Sequence, residues 1–149
     1  MLKITVIATG KLKERFWKEA CEEYRKRLGG YVNLTMRELP DSTREREADA
    51  QLAAIDALGG AHLFLLDIRG RETGSEALAE RIETLAVSGK SHLAFLIGGS
   101  DGVSREVADR AAEHLSFGPV TLPHNLARVV LLEQLYRAEK IIHREPYHK

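Results

Sequence analysis

A cluster of glycines follows an apolar run in the second half of the chain. Gly98, Gly99 and Gly102 lie within five residues of one another, directly after His92–Ile97. Glycine allows a backbone to approach a ligand closely and to present its N–H groups. The cluster is also compatible with a tight turn that needs positive φ and binds nothing, so both interpretations stay open. The spacing is neither the Gly-x-Gly-x-x-Gly fingerprint nor the phosphate loop ending in Lys-Ser/Thr, which disfavours dinucleotide and nucleoside triphosphate cofactors.

Three side chains are candidates for moving a proton. His124 follows a proline, and Tyr147 and His148 lie next to the last residue of the chain. An imidazole accepts or donates a proton near neutral pH, so a histidine beside a ligand loop can act as a general base or acid. For His124 the alternative role is to cap the last helix. For the final pair the alternative is a frayed and idle end.

Basic side chains near both ends of the chain are candidates for binding phosphate. Arg128 and Arg137 belong to the last predicted helix, and Lys11, Lys13 and Arg15 lie close to the first strand. Such residues contact the backbone of nucleic acids, although on a helix surface they are more often only solvated.

The net charge of zero argues against a nucleic acid partner, but the charge is unevenly distributed. Residues 1–30 contain eight Lys and Arg against four Glu, and residues 124–149 contain five against three. Residues 31–123 are acidic, with nine Lys and Arg against fifteen Asp and Glu. The basic excess therefore lies at the two ends of the chain, which favours a polyanionic partner only weakly.

The other polar residues of interest have ordinary structural explanations. Asp67 ends an apolar run and either orders a loop or contacts a substrate hydroxyl. His62, His92 and His114 do not have the spacing of metal ligands, and we expect them to be structural. We expect no metal site.

The elements that must position these residues alternate along the chain. Short apolar or β-branched runs predict strands, and the third and fourth are apolar enough to be covered on both faces of a sheet. This alternation predicts an α/β domain with a mainly parallel sheet flanked by helices. The predicted strands are Leu2–Ala8, Tyr31–Leu39, His62–Asp67, His92–Ile97 and Pro119–Leu122.

Five amphipathic segments predict helices between and after these strands. The first has an apolar stripe of Leu12, Phe16, Ala20, Tyr24 and Leu28, with Trp17 and Cys21 also packing this helix. The second opens with a capping box formed by Ser42 and Glu45. The third starts near Ser75, with Leu78, Ile82 and Leu85 pointing inward.

The last two helices follow the glycine cluster and the fifth predicted strand along the chain. The fourth takes Ser104 as its N-cap and buries Val107, Ala111 and Leu115. The fifth runs from about Leu126 to Ile142, and its stripe is wide enough to be buried against both the sheet and a second subunit.

Length, cysteine content and the absence of long apolar stretches favour a single-domain protein of a reducing compartment. Its 149 residues predict a single domain spanning residues 1–149, with one hydrophobic core. The single cysteine, Cys21, favours a reducing compartment, and no apolar stretch is long enough for a bilayer or resembles a signal peptide. We therefore expect a cytoplasmic protein with no membrane partner.

An ordered series of short motifs resembles a known family along the whole chain. The series comprises Gly10–Lys13, Glu23–Leu28, Leu66-Asp67 before Gly70, Leu96–Gly99 with Gly102, Leu122–His124, Glu133–Ala138 and Pro146–His148. In this order it resembles the bacterial large-subunit rRNA pseudouridine N3-methyltransferases, minimal members of the SPOUT class of knotted methyltransferases.

The resemblance implies a C-terminal trefoil knot, a homodimer and S-adenosylmethionine as methyl donor. Carried over to this sequence, it implies cofactor contacts at Leu66, Gly98, Phe117, Gly118, Pro119, Val120, Thr121 and Leu122. It implies catalytic roles for Tyr147 and His148, and His124, beside the cofactor loop, is the third catalytic candidate. Arg128, Arg137, Lys11 and Lys13 become the candidates for binding RNA.

The resemblance also implies how the reaction proceeds. The activated methyl group needs no metal, so the protein has to align the acceptor nitrogen and assist loss of its proton. Because the chain is small, we expect the substrate to be 23S rRNA within the ribosome or large subunit. The alternatives are a non-catalytic ribosome-associated protein and a small nucleotide-binding α/β protein.

Overall fold

Strands and helices alternate throughout the computed structural model, which describes residues 1–149. Five strands and five helices follow one another in the order β1 (Lys3–Thr9), α1 (Arg15–Leu28), β2 (Asn33–Leu39), α2 (Arg44–Asp56), β3 (His62–Glu72), α3 (Ser75–Val87), β4 (His92–Ile97), α4 (Arg105–Arg110), β5 (Glu113–Ser116) and α5 (His124–Ile142).

All five strands pair in parallel in a single sheet with the order β2-β1-β4-β3-β5. Parallel neighbours need crossover connections, and a helix supplies each of them. The prediction of an α/β fold with a mainly parallel sheet is therefore confirmed.

The helices cover both faces of the sheet, because the strand side chains alternate between two cores. Leu93, Phe95 and Ile97 of β4 belong to the larger core, beneath α1, α3 and α5. Ala94 and Leu96 belong to the smaller core, beneath α2 and α4. This explains why β4 is apolar along almost its whole length. α5 packs between α1 and α3 and supplies Leu131, Leu132 and Leu135 to the larger core.

The prediction of the fifth strand at Pro119–Leu122 was wrong. Residues 119–122 form no strand, because Gly118 turns the chain with φ +113° and Pro119 has no N–H to donate. The fifth strand lies earlier, at Glu113–Ser116. This strand was missed because Glu113 and His114 place charged and polar side chains in a segment of only four residues.

The fourth helix is shorter than predicted. Ser104 is its N-cap, as expected, and its hydroxyl accepts a hydrogen bond from the N–H of Val107. The helix ends at Arg110, because Ala111 adopts an extended conformation. Leu115 is therefore buried as part of β5 and does not belong to a helical stripe.

Two further helix details were also wrong. Thr43, not Ser42, caps α2, because its hydroxyl accepts from the N–H of Arg46. Phe16 is 60% exposed. The buried side of α1 is instead formed by Cys21 and Leu28, with Trp17 and Tyr24 partly buried beside them. No helix is both long and apolar enough to span a membrane.

Gly70 offers a test of how tightly β3 and β5 approach. A Cβ at this position would lie 2.6 Å from the carbonyl carbon and oxygen of His114, which are backbone atoms that cannot rotate away. We expect Gly70→Ala to lower the free energy of unfolding by about 2–3 kcal/mol in urea titrations. Gly74→Ala is the matched control, because its Cβ would meet nothing within 4 Å. Equal losses in the two variants would mean that β5 moves aside without cost.

Candidate functional site

The loops that carry the candidate residues lie at one edge of the sheet. Because the strands are parallel, their carboxyl ends meet there. β1 and β4 are neighbours in the sheet. After β1 the chain passes through α1 to β2 on one side, whereas after β4 it passes through α4 to β5 on the other side. Ligands of open α/β sheets bind at such a divergence of connections.

In the turn after β4, neighbouring side chains and the backbone conformation favour glycine at positions 98, 99 and 102. A Cβ at Gly98 would lie 2.7 Å from Cγ1 of Val103, and a Cβ at Gly99 would lie 2.7 Å from Oε1 of Glu47. Gly102 has φ +76°, a conformation that favours glycine. The structural interpretation of these glycines is therefore sufficient to explain them. A cofactor contact at Gly98 stays a prediction.

The end of β3 is ordered by Asp67. Leu115 of β5 is the register partner of both Leu66 and Arg71, so residues 67–70 bulge out of the ladder. Inside this bulge, the Asp67 carboxylate accepts from the Arg69 N–H at 3.0 Å and pairs with Nδ1 of His114 at 3.1 Å. Burial raises the pKa of this carboxyl, but these hydrogen bonds outweigh it and lower the pKa overall. The contacts favour the loop-ordering role of Asp67.

The loop after β5 presents unused backbone donors. The hydroxyl of Ser116 fixes its start by accepting from the Gly118 N–H at 3.1 Å. Beyond it, the N–H groups of residues 120–122 make no hydrogen bond within the chain, and Val120 is 71% exposed. A heterocycle with acceptor nitrogens fits such donors. The composition of residues 117–122 is therefore compatible with an adenosyl group held by backbone atoms.

His124 lies beside the turn that follows β1. It is the first residue of α5, where Pro123 occupies the N-cap position and makes no side-chain cap, so the structure gives His124 no capping role. Its Nδ1 is buried without a hydrogen-bond partner. A Cβ at Gly10 would lie 2.8 Å from Cε1 of His124 and 2.9 Å from Oδ1 of Asp41. This imidazole therefore lies beside the residues that follow β1 and β2, at the carboxyl edge of the sheet.

Arg128 is buried in an ion pair and is not displayed on the helix surface. Its side chain is 5% exposed, and Nη1 donates to Oε2 of Glu38 at 2.6 Å. Nη2 donates to the carbonyl oxygen of Gly10 at 2.6 Å. These bonds join α5 to the ends of β1 and β2, so Arg128 anchors the fold at this edge. Its remaining donor, Nε, is buried without a partner.

The C-terminal tail is held against α5 by a polar network. Oε2 of Glu133 accepts from Nη2 of Arg137 and from the hydroxyl of Tyr147, both at 2.9 Å. The Arg137 guanidinium also lies 4.7 Å from the centre of the Tyr147 ring. Its Nη1 is 3.1 Å from Nδ1 of His148, and Nε2 of His148 is 3.2 Å from Oε1 of Glu76. The structure therefore brings Arg137, Tyr147 and His148 together.

The network also defines the hydrogen-bond role of His148 and keeps the phenol of Tyr147 protonated. Arginine has donors only, so Nδ1 of His148 is the acceptor from Arg137, and the ring proton resides on Nε2. Burial and the hydrogen bond to Glu133 raise the pKa of Tyr147 to about 12. The phenol is therefore neutral near pH 7. No hydrogen bond joins the tail to residues 117–122.

The basic residues near the N-terminus are exposed to solvent. Lys11 and Lys13 form no ion pair, whereas Arg15 pairs with Glu19 at 3.0 Å. They lie in and just after the connection that follows β1, at the same edge as His124. No group of three or more His, Cys, Asp or Glu side chains is placed to hold a metal ion.

Three carboxylates in these contacts were not identified from sequence. Glu133 could have been found, because its spacing of four from Arg137 places the two side chains on one helix face. Glu38 and Glu76 carry no such signal. Each meets its partner only after distant segments of the chain have packed together.

The fold and the site define the class of protein. Residues 2–148 match the family model described as "Predicted SPOUT methyltransferase". The chain therefore belongs to the SPOUT methyltransferase family. In fold it is similar to a probable methylase family protein from Haemophilus influenzae, with a TM-score of 0.57, 16% identity, and coverage of 99% of this chain and 70% of that one.

More similar relatives have a particular assignment. A "Ribosomal RNA large subunit methyltransferase H" from Acetivibrio thermocellus is 42% identical over 161 residues, covering 99% of this chain and 100% of the relative. The protein of the same name from Bacillus cytotoxicus is 43% identical over 159 residues, with the same coverage. The likeness therefore extends over whole chains.

The Glu133–Tyr147 hydrogen bond can be tested by titration. We expect Glu133→Gln to lower the pKa of Tyr147 from about 12 part of the way toward the ordinary value, because the nearby negative charge is lost and burial remains. NMR of ring-labelled tyrosines measures this, with Tyr147→Phe to assign the signal. Glu145→Gln is the control, because Glu145 accepts from Tyr31 instead. An unchanged Tyr147 titration in Glu133→Gln would contradict the described contact.

Proposed function

We propose that this chain methylates large-subunit ribosomal RNA, taking the methyl group from S-adenosylmethionine and adding it to N3 of a pseudouridine. The observation that carries the proposal is the full-length similarity to relatives named as large-subunit rRNA methyltransferases. We further propose that the protein acts in the cytoplasm, on the assembled ribosome or large subunit.

The cofactor would be held at the carboxyl edge of the sheet. Leu66, Gly98 and the loop Phe117–Leu122 are the residues that would hold it, with free N–H groups at residues 120–122 as the supporting observation. S-adenosylmethionine supplies a methyl group activated on a sulfonium, and the protein contributes binding and orientation. A C-terminal trefoil knot, as in other members of this class, is part of the proposal.

The chain's own residues would handle the proton at N3 of the target base. Tyr147 is neutral and donates to Glu133, so its phenol is suited to orienting a substrate and not to accepting a proton. His148 can accept a proton at Nδ1 once the base displaces Arg137, whose cation then remains to stabilise the deprotonated base. His124 is the second candidate acceptor, since its Nδ1 has no partner.

We propose that the active form is a homodimer. Val129 and Val130 on α5 are only partly buried, and Phe16 on α1 is exposed, which leaves apolar surface on these two helices. In such a dimer, the basic termini of one chain would face the cofactor loops of the other. Lys11, Lys13 and Arg137 would then form a local RNA-binding surface despite zero net charge.

The whole proposal is tested by methyl transfer to ribosomes from a strain that lacks the gene. We expect one methyl group per large subunit, located by mass spectrometry of the rRNA, and a clear preference for assembled subunits over naked rRNA. Calorimetry should detect S-adenosylmethionine but not ATP, because the turn at residues 98–102 has no lysine to neutralise phosphates. Failure to bind S-adenosylmethionine would overturn the proposal, and equal rates on naked rRNA would overturn its ribosomal part.

The roles of the tail can be separated from folding. We expect His148→Ala to lower kcat about a hundredfold, because a positioned proton acceptor is lost, with little change in cofactor affinity. Lys149→Ala is the matched control, since this neighbouring side chain makes none of the network contacts. Normal turnover in His148→Ala together with a large loss in His124→Ala would assign the proton to His124.

A further inference from the structure

A cleft lies between α1, β2 and α5, apart from the loops that are proposed to hold the cofactor. Its cavity volume is about 250 Å³. The apolar part of its lining consists of Ala8, Leu12, Cys21, Met36 and Leu132. The charged part consists of Lys18, Glu22, Arg25, Arg37, Glu38 and Arg128. We refer to it as the α1–β2 cleft.

The cleft carries an excess of free positive charge. Arg128 and Glu38 neutralise each other at 2.6 Å. The remaining basic side chains, Lys18, Arg25 and Arg37, are exposed and form no ion pair, and only Glu22 opposes them. An apolar wall under a basic rim suits a ligand with a flat uncharged part and an attached anion.

One donor of Arg128, a residue that lines the cleft, lacks an acceptor. The Arg128 side chain is only 5% exposed, yet its Nε makes no hydrogen bond. A guanidinium stays protonated, so a buried N–H of this kind costs free energy until an acceptor satisfies it. Nε has almost no exposed surface, so it does not reach a ligand in the cleft, and recognition there rests on the apolar wall and the basic rim.

The size of the cleft limits its occupant. Sites for drug-sized ligands enclose roughly 300–1,000 Å³. This cleft is smaller, so it suits one base better than a whole cofactor. Unpaired bases in RNA are recognised in this way, against apolar and guanidinium surfaces with phosphates held by basic side chains. Arg25 and Arg37 offer planar guanidinium groups at the rim.

The position of the cleft relates it to the rest of the site. Ala8, in its lining, is the register partner of Ile97, which directly precedes Gly98. The loop proposed to hold the adenosyl group follows β5, which is three strands away from β1, so about 14 Å separate β5 from β1 at the cleft floor. Methyl transfer needs reacting atoms in near contact, at about 3–3.5 Å. A base in the cleft is therefore a neighbour of the methylated nucleotide.

We propose that the α1–β2 cleft binds one unpaired nucleotide of the RNA substrate, adjacent to the target, with its base against the apolar wall and its phosphate at Lys18, Arg25 and Arg37. This subsite rests on the proposed function, because it assumes an RNA substrate. It would add recognition that the small chain otherwise lacks.

Binding of short oligoribonucleotides tests the charged rim. We expect Arg25→Gln to weaken hexauridylate binding about fivefold in fluorescence anisotropy at low salt, as expected for one lost phosphate contact. Lys26→Gln is the matched control, because it removes the same charge from the next residue of α1, outside the cleft. Equal effects of the two variants would mean general attraction by positive charge and would overturn the subsite.

A second comparison tests for the base itself. We expect hexauridylate to bind about tenfold more tightly than an abasic hexamer of equal charge, a difference that Cys21→Met should abolish by filling the cleft. Uridine monophosphate alone, used as competitor, distinguishes a free nucleotide site from one that needs a longer RNA. Equal affinities for the two hexamers in the wild type would overturn the proposal.

Cys21 also provides a measurement that needs no variant. It is the only cysteine and lines the cleft. Burial raises the pKa of its thiol, the charge of Arg128 lowers it in part, and the charge of Glu38 raises it further. Because the thiolate is the form that reacts, alkylation is followed at about pH 9. We expect hexauridylate, but not the abasic hexamer, to slow the alkylation. Protection that appears without RNA and disappears on dilution would mean that a second copy covers the cleft, which would also overturn the proposal.

These outcomes are separable from those for the proposed function. Calorimetry with S-adenosylmethionine is run on each variant, and we expect its affinity to be unchanged by Arg25→Gln and Cys21→Met. A chain that binds no cofactor yet discriminates the two hexamers would retain the subsite and lose the methyltransferase proposal. A chain that binds S-adenosylmethionine normally but binds the two hexamers equally would retain the methyltransferase proposal and lose the subsite.

Discussion

The parallel pairing of all five strands is the constraint on which the site depends. It brings the carboxyl ends of β1, β3, β4 and β5 to one edge, although the loops that follow them are far apart in sequence. It also requires helices on both faces, which makes β4 apolar on both of its sides. The same constraint places His124 and Arg128, at the start of α5, against the end of β1.

Local patterns predicted most of this framework. The apolar runs located β1 to β4, and the inward positions Leu78, Ile82 and Leu85 of α3 are buried as expected. β5 was not predicted, because Glu113 and His114 lack the alternation of a strand. Their polarity is explained only by partners in other segments, Arg81 and His62 for Glu113 and Asp67 for His114. A strand stabilised by distant ion pairs leaves little local signal.

The candidate site was predicted by residue type more successfully than by arrangement. The sequence identified His124, Arg137, Tyr147 and His148 as residues suited to chemistry. It did not predict that three of them share one network through Glu133, nor that Arg128 is buried against Glu38, 90 residues away. Long-range pairing of this kind depends on packing, which periodicity does not encode.

The bond between Arg128 and the Gly10 carbonyl joins residues 118 positions apart. With α5 packed between α1 and α3, the larger core is complete only when α5 is in place. During synthesis, a nascent chain released up to α4 would therefore expose the apolar surfaces of α1 and α3. The high sequence separation of these contacts also implies slow folding relative to a helical bundle of equal length. A protein proposed to act on ribosomes would thus complete its larger core only once α5 has been synthesised and has packed between α1 and α3.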